Sequence, residues 1–348
     1  MADTKKPNST QIAKLAGISR STVSRVINGY SNVPEKTRKL VMDTIEKYGY
    51  YPSLSGQVLR GKRTKCLGLF WGSYGTISYD MLASSFLIHV IESAAAKGYL
   101  VLTCIPRSFS AEQNKRQIKE IFHQGRIDAG IFFGANDEEP LLDELEADGM
   151  MVGVFDQQNV SGKRFTVNFE ADTGLKAIRY VSALGHKDIA ILDGDLHRHS
   201  SFLRHESYLK GMLEAGLPIR PEWMHIGDSG AALTRDGGET VMRELLQSNA
   251  TYPTVVCCNN DATALGAYRA IADAGLKVGE DISVIGVDDH HLSSLVTPAL
   301  TTFRFDFCRM CTSLVNRMID ALEGETDVPR DEVFTSELVE RASCRPAK

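Results

Sequence analysis

From Lys65 onward, short apolar runs alternate with helical stretches, and this alternation restricts the fold more than any other feature of the chain. The runs "KCLGLFW", "LVLTCI", "DAGIFFG" and "MVGVF", then "DIAILDG", "TVVCCN" and "ISVIGVDD", read as strands. Stretches such as "ASSFLIHVIESAAAKG", "TGLKAIRYVSALG" and "DATALGAYRAIADAG" read as the helices between them. Such alternation builds parallel sheets flanked by helices. Two units in succession predict two similar lobes, 65–160 with a C-terminal return and 161–295. Ligands meet sheets of this kind beyond the carboxyl ends of the strands, so the cleft between lobes is the expected site.

Polar residues stand at those strand ends. Asp156 ends "MVGVFD", Asn260 and Asp261 end "VVCCNND", Asp288 and Asp289 end "VIGVDD", and Arg204 begins the helix after "DIAILDG". Any one of them could simply cap a following helix. Their agreement in position favours a polar cleft. Carboxylates accept from hydroxyls and an arginine donates in a fork, a combination suited to sugars.

The first 65 residues differ in charge from the rest. They hold 13 Lys+Arg against 4 Asp+Glu, whereas the remainder holds 26 against 40. A small basic head on a large acidic body points to a polyanionic partner for the head. No apolar run reaches bilayer length, and "MADTKKPNST" lacks the apolar centre of a signal peptide, so no membrane association and a cytoplasmic location are expected. The seven cysteines are odd in number and scattered, unlike a disulfide framework.

Three short helices fit residues 8–50. "QIAKLAG" places Ile12, Leu15 and Ala16 on one face and stops at Gly17, which suits a tight turn. Ser19 can cap the next helix, with Val23, Val26 and Ile27 inward and an end near Asn28-Gly29. Pro34 suits the first turn of a third helix whose inner face carries Leu40, Val41, Ile45 and Tyr48. Helix, glycine turn, helix and supporting helix form a helix-turn-helix, whose second helix enters the major groove of DNA. With the valines inward, Arg20, Ser21 and Arg25 must face out. Arginine suits guanine through paired bonds to O6 and N7, and short hydroxyls reach phosphates or base edges.

The string "TQIAKLAGISRSTVSRVING…VPEKTRKLVMDTIEKYGYYPS" resembles the DNA-binding head of the lac repressor (LacI/GalR) family. The resemblance continues through "LGHKDIAILDG", "NNDATALGAYRAIADAGLKVGEDISVIGVDD" and "ELVERAS", nearly to the C-terminus. It implies that Arg20, Ser21 and Arg25 read bases. It places Asn8, Ser19, Thr22, Ser24, Asn28, Ser31 and Asn32 where the family contacts phosphate or supports the reading helix. In "YYPSLSGQVLRGKRTK", Pro52 breaks the third helix and 53–60 is too short to hold a helix alone. By resemblance this segment folds on DNA, pairs with its copy in a second subunit and wedges Leu59 into the minor groove. In the body, the resemblance assigns Asp156, Arg204, Asn260 and Asp288 to the effector. Ser207 stands where the family usually carries glycine.

Other motifs lead nowhere. "GDSG" at 227–230 resembles a serine-protease nucleophile segment, but it lies in an α/β body without the matching fold. "CRMC" at 308–311 is a lone CxxC on one helical turn, without further zinc ligands or a thioredoxin-like context. His197, His199, His205 and "DDHH" fit no common metal spacing, and no P-loop or strand-linked GxGxxG occurs.

The chain is therefore expected to have an all-α helix-turn-helix head over 1–52, a hinge helix and linker over 53–64, and an α/β effector-binding and dimerisation body over 65–348. The body's two parallel-sheet lobes are of the periplasmic-binding-protein type. The expected function is that of a regulator of transcription, most simply a repressor, and not an enzyme. It needs no cofactor and no metal. A homodimer grips a pseudo-palindromic operator in double-stranded DNA under control of a small-molecule effector, with a sugar favoured. The alternatives are a purine- or nucleoside-responsive regulator and an activator of the same architecture. "ELVERASCRPAK" carries no heptad tail, so a dimer is expected rather than a tetramer.

Overall fold

The computed structural model describes residues 7–51, 63–72, 82–106, 109–137, 139–227, 234–248 and 251–348. The chain divides into two compact units at Thr64/Lys65.

The first unit is a three-helix head: α1 (Ser9–Leu15), α2 (Arg20–Ile27) and α3 (Glu35–Tyr48). Asn8 starts α1, its side chain accepting from the N–H groups of Thr10 and Gln11 while Gln11 reaches back to the Asn8 N–H. That reciprocal box allows the helix to begin at polar Ser9. Gly17 turns the chain at a φ of +66° and Gly29 at +74°, in the left-handed region that glycine enters without steric cost. The core is Ile12, Ala13, Val23, Val26, Val33 and Val41. Three expected core residues lie outside it: Leu15 is 49% exposed, Leu40 46% and Tyr48 42%. Ala13 and Thr44 are buried instead. Helices of 7 and 14 residues present only a narrow stripe to so small a core, and a large side chain at its margin stays in water.

The body holds two six-stranded sheets. The first runs in the order β11-β5-β4-β3-β1-β2, from β1 (Cys66–Trp71), β2 (Leu100–Cys104), β3 (Ala129–Phe133), β4 (Val152–Phe155), β5 (Phe165–Phe169) and β11 (Asp331–Phe334), with every pairing parallel. The second runs β12-β10-β9-β8-β6-β7, from β6 (Ile189–Asp195), β7 (Met224–Gly227), β8 (Val255–Cys258), β9 (Ser283–Asp288), β10 (Thr301–Arg304) and β12 (Glu337–Val339). Here only β12 pairs antiparallel.

Helices cover both faces of each sheet. In the first lobe α4 (Ala83–Ala96) and α11 (Phe307–Glu323) cover one face, with Leu69, Trp71 and Ile131 beneath them. On the other face α5 (Glu112–His123) and α6 (Pro140–Ala147) cover Phe70, Phe132 and Val154. Adjacent strand residues thus feed opposite cores, as the two-residue period of a strand requires. In the second lobe α7 (Thr173–Ala183) and α8 (His199–Glu214) lie on one face. On the other are α9 (Arg235–Ser248) and α10 (Asp261–Asp273).

The expected lobe boundary at 160/161 needs correction. Phe165–Phe169 pairs with β4 and belongs to the first sheet, so the chain first leaves that lobe after Phe169. It crosses again between β10 and α11, and a third time between β11 and β12, so the expected C-terminal return consists of α11 and β11. The crossings are tied together. Glu170 donates its N–H to Phe334 O, accepts from the N–H and hydroxyl of Ser336, and pairs with Lys176 Nζ at 2.7 Å. Phe169 and Phe305 meet edge to face, with centroids 4.8 Å apart.

Candidate DNA-reading head and ligand cleft

On α2, burial of Val23 and Val26 turns Arg20, Ser21 and Arg25 into solvent. Neither arginine is in an ion pair with a described residue, so both guanidinium forks keep their donors available. Ser19 is the cap: its Oγ accepts from Thr22 N–H at 3.1 Å and lies 2.7 Å from Ser21 Oγ and 2.8 Å from Thr22 Oγ1. At the other end of the helix, Asn28 Nδ2 donates to the carbonyl of Ser24 at 2.6 Å and to its Oγ at 3.2 Å. Ser31 and Asn32 are exposed in the link to α3, which Arg38 pins by donating to Tyr30 O at 2.7 Å. The expected contact residues therefore divide. Arg20, Ser21, Arg25, Ser31 and Asn32 face water, whereas Asn8, Ser19 and Asn28 hydrogen-bond at helix ends. Leu59, with Gly56 and Gln57, lies outside the described residues.

At the carboxyl ends of the two sheets, where the ligand cleft is expected, three aspartates hold positive φ: Asp156 at 60°, Asp288 at 116° and Asp289 at 53°. Left-handed backbone is costly for residues with a Cβ, and aspartate is among the side chains that tolerate it. Asp156 connects the lobes. The N-cap Arg198 of α8 makes no side-chain cap. Asp156, from the first lobe, takes that role: its Oδ1 accepts from Ser200 N–H at 2.8 Å and its Oδ2 from Ser200 Oγ at 2.6 Å. A carboxylate at a helix N-terminus meets unsatisfied amides and the positive end of the dipole. Burial pushes the Asp156 carboxyl up, while Ser200 and the charges of His199, Arg198 and Arg204 pull the other way.

A second link runs beside the first. His199 Nδ1 lies 3.2 Å from Asp137 Oδ2, in the loop between β3 and α6. The same turn of α8 sits close to Gly134, where a Cβ would lie 3.7 Å from Arg198 Nη2 and 2.5 Å from Gly72 O. Gly134 has a φ of +77°, so only glycine suits the approach.

Arg204 does not begin the helix. It stands in the second turn of α8, buried, with Nη1 donating to Asn259 O at 2.7 Å and also to Asn259 Oδ1. Its Nε is buried without a hydrogen-bond partner among the described residues. Beneath it, Asp193 Oδ2 pairs with His205 Nδ1 at 2.6 Å. Burial pushes the Asp193 carboxyl up, and Asp193 raises His205. Ser207 donates to Arg204 O at 2.9 Å and packs so closely against Gly174 of α7 that a Cβ added there would collide with it.

Asn260 caps α10, accepting from Thr263 N–H at 2.8 Å, so Asn259 rather than Asn260 reaches Arg204. Asp261 is buried and scaffolds the loop after β9, accepting from His290 N–H, Ser293 Oγ and Thr302 Oγ1. Asp289 is held by Arg304 at 2.7 Å and Arg341 at 2.5 Å. Asp288 ends β9 and is only half-buried. Sequence reasoning missed Asp137, His199 and Ser200 as a group, because the contact joins a loop of one lobe to a helix start of the other, which only the packed lobes bring together. It also missed an aromatic group at the carboxyl ends of β1, β3 and β4. There Trp71 stacks on half-buried Phe133 at 3.8 Å, with Phe86 and Phe155 beside them. Among the described residues no group of histidine, cysteine and carboxylate side chains is arranged to hold a metal ion. No described helix is long and apolar enough to cross a membrane.

A helix-turn-helix head with exposed arginines on its second helix, in one chain with a two-lobed parallel α/β body, defines the class of DNA-binding transcriptional regulators. Comparison with known proteins narrows the class. A model of the bacterial regulatory proteins of the lacI family matches residues 10–53, and a model of the periplasmic binding protein-like domain matches 178–344. The HTH-type transcriptional repressor PurR of Pasteurella multocida is 32% identical over 340 residues, covering 96% of this chain and 97% of that one. The PurR of Glaesserella parasuis is 31% identical over 341 residues, with the same coverage. Among solved structures, the lac repressor dimer bound to operator and the anti-inducer ONPF aligns over 98% of this chain and 100% of its own, at 28% identity and a TM-score of 0.82. The regulator CelR in complex with cellobiose shares the fold, at 24% identity and a TM-score of 0.73. The chain belongs to the lacI family of bacterial regulatory proteins.

Proposed function

We propose that the protein is a cytoplasmic repressor that grips a pseudo-palindromic operator as a homodimer, and that a small molecule in the cleft sets its grip by favouring closed lobes. The observation that carries this reading is Asp156 of one lobe capping the α8 N-terminus of the other. A ligand seated there prefers one degree of closure, and that preference is what allosteric control needs. Arg20, Ser21 and Arg25 read bases, while Ser31 and Asn32 touch the backbone.

A surface on the first lobe supports the dimer. Strand β2 stands at the edge of its sheet with Leu100 72% exposed and Leu102 exposed, and Ile88 and Ile91 are exposed on the neighbouring α4. An apolar edge strand left in water pairs or aggregates unless covered.

For the effector, a purine or nucleoside is favoured over a sugar. The relatives named PurR are 30–32% identical over nearly the whole chain, and the half-buried ring of Phe133, backed by the buried Trp71, puts an aromatic group at the carboxyl end of β3. The first test is selection of bound fragments from sheared genomic DNA of the source organism at fixed salt, repeated with purines, nucleosides and sugars. A short palindrome whose retention changes with one purine supports the reading. Retention without sequence preference under every condition overturns it.

A further inference from the structure

We propose that His199 and Asp137 form a proton-operated latch between the lobes, so that closure of the cleft is favoured on the acid side of neutrality and released above it. The inference rests on the reading that the lobes close over a ligand, and adds a second input to the same movement. His199 is the first residue of α8 in the second lobe, and Asp137 sits in a loop of the first. Their 3.2 Å contact exists only while the lobes are together. Both side chains are only partly exposed, at 18% and 34%, so water screens the pair less than it would a surface pair.

The surrounding charges determine how the latch behaves. His199 also faces the Asp156 carboxylate, which adds to Asp137 in favouring the imidazolium, and Arg198 is its neighbour in the chain. Asp137 faces His199, the Gln158 N–H and the more distant Arg164, whose guanidinium is already bound by Asp143 and Glu146. The hydrogen bond to Asp137 raises His199, with burial opposing. Burial would raise Asp137, but His199 and Gln158 outweigh it and its carboxyl lies below the usual value.

The signs then follow. The stabilisation of the closed form by His199 is complete below the ordinary histidine value of about 6.5 and is lost as pH rises through the raised value. The Asp137 share is present above about 4 and is lost only below that. Closure therefore takes up a proton, and by reciprocity a ligand that closes the lobes also raises His199 further. The hydrogen bonds from Ser200 to Asp156 remain through this range and keep the closed form available at either protonation state.

The test uses the full chain without ligand, carrying a fluorescent donor and acceptor on keto-bearing residues introduced at exposed Gln117 of α5 and Lys210 of α8. Interlobe transfer is read from pH 5.5 to 8.5. The closed-to-open ratio is expected to fall about threefold between pH 6 and 8, the size of effect expected from a partly exposed ion pair. It is expected to stay level in His199→Gln and, independently, in Asp137→Asn. A wild-type ratio that ignores pH overturns the latch, as does an unchanged pH response in both variants. Titrating the same labelled protein with purines separates the two readings. Closure on ligand with no response to pH retains the cleft and removes the latch.

Discussion

Asp156 and Arg20 show how much depends on a few single side chains. Asp156 supplies a charged acceptor to an amide of the opposite lobe and to its hydroxyl. Hydrogen bonds to charged groups contribute about 1.5–3 kcal/mol each. Asp156→Ala is therefore expected to weaken effector binding at least about tenfold by calorimetry, while Asp156→Asn, which still accepts from the amide, keeps most of it. Equal affinity in the alanine variant would remove Asp156 from the closing contact. In the head, Arg20 projects from α2 with no ion pair to a described residue. Arg20→Ala is expected to flatten the preference at one operator position by about 1–3 kcal/mol and leave the others intact. Competition binding against single-base operator variants measures this, and an unchanged profile would show that Arg20 touches only phosphate.

At the level of elements, buried polar clusters hold loops in place, and Asp261 is the clearest case. It joins the start of α10 to β10 and to the loop after β9 through three accepted hydrogen bonds. Burial is the main cause that pushes its carboxyl up to about 7. A folded value above the unfolded one means that Asp261 favours the fold most below about pH 4, and that this contribution declines as pH rises to 7. Asparagine can reproduce the protonated form, donating to Thr302 Oγ1 while its oxygen keeps His290 and Ser293. Asp261→Asn is thus expected to gain about 1–2 kcal/mol on the wild type between pH 5 and pH 8 in urea unfolding. A constant difference across that range would mean that Asp261 is ionised throughout.

The whole molecule places its functions on different surfaces of the fold. Helix α2 lies in one compact unit, the contact between the two lobes in the other, and the apolar edge of β2 at the flank of the first sheet. Leu100→Glu puts a charge at the start of that edge strand, on its most exposed leucine. It is expected to yield monomers by sedimentation and to weaken operator binding by a hundredfold or more, because a lone head loses the avidity of a matched pair. The isolated body should retain its ligand affinity within about twofold. A Leu100→Glu protein that still sediments as a dimer would move the interface elsewhere.

The alternation of strands and helices, the basic head and the phase of the valines on α2 were legible in the sequence because each is a local pattern with a fixed period. That pattern also revealed which strand ends carry polar residues. It failed where long-range packing decides. Leu15 and Leu40 have the right period for a core too small to reach them, and Phe165–Phe169 joins the first sheet only because β4 and β11 flank it. Asn260 and Asn259 are adjacent and chemically alike, yet one caps a helix and the other holds Arg204. The sequence by itself determined the architecture and which face of α2 is exposed, since local periodicity and charge are enough for both. Only the tertiary structure decided that Asp156 caps a helix of the opposite lobe and that His199 meets Asp137, because residues 44 and 62 positions apart share a site only once two sheets have folded and closed.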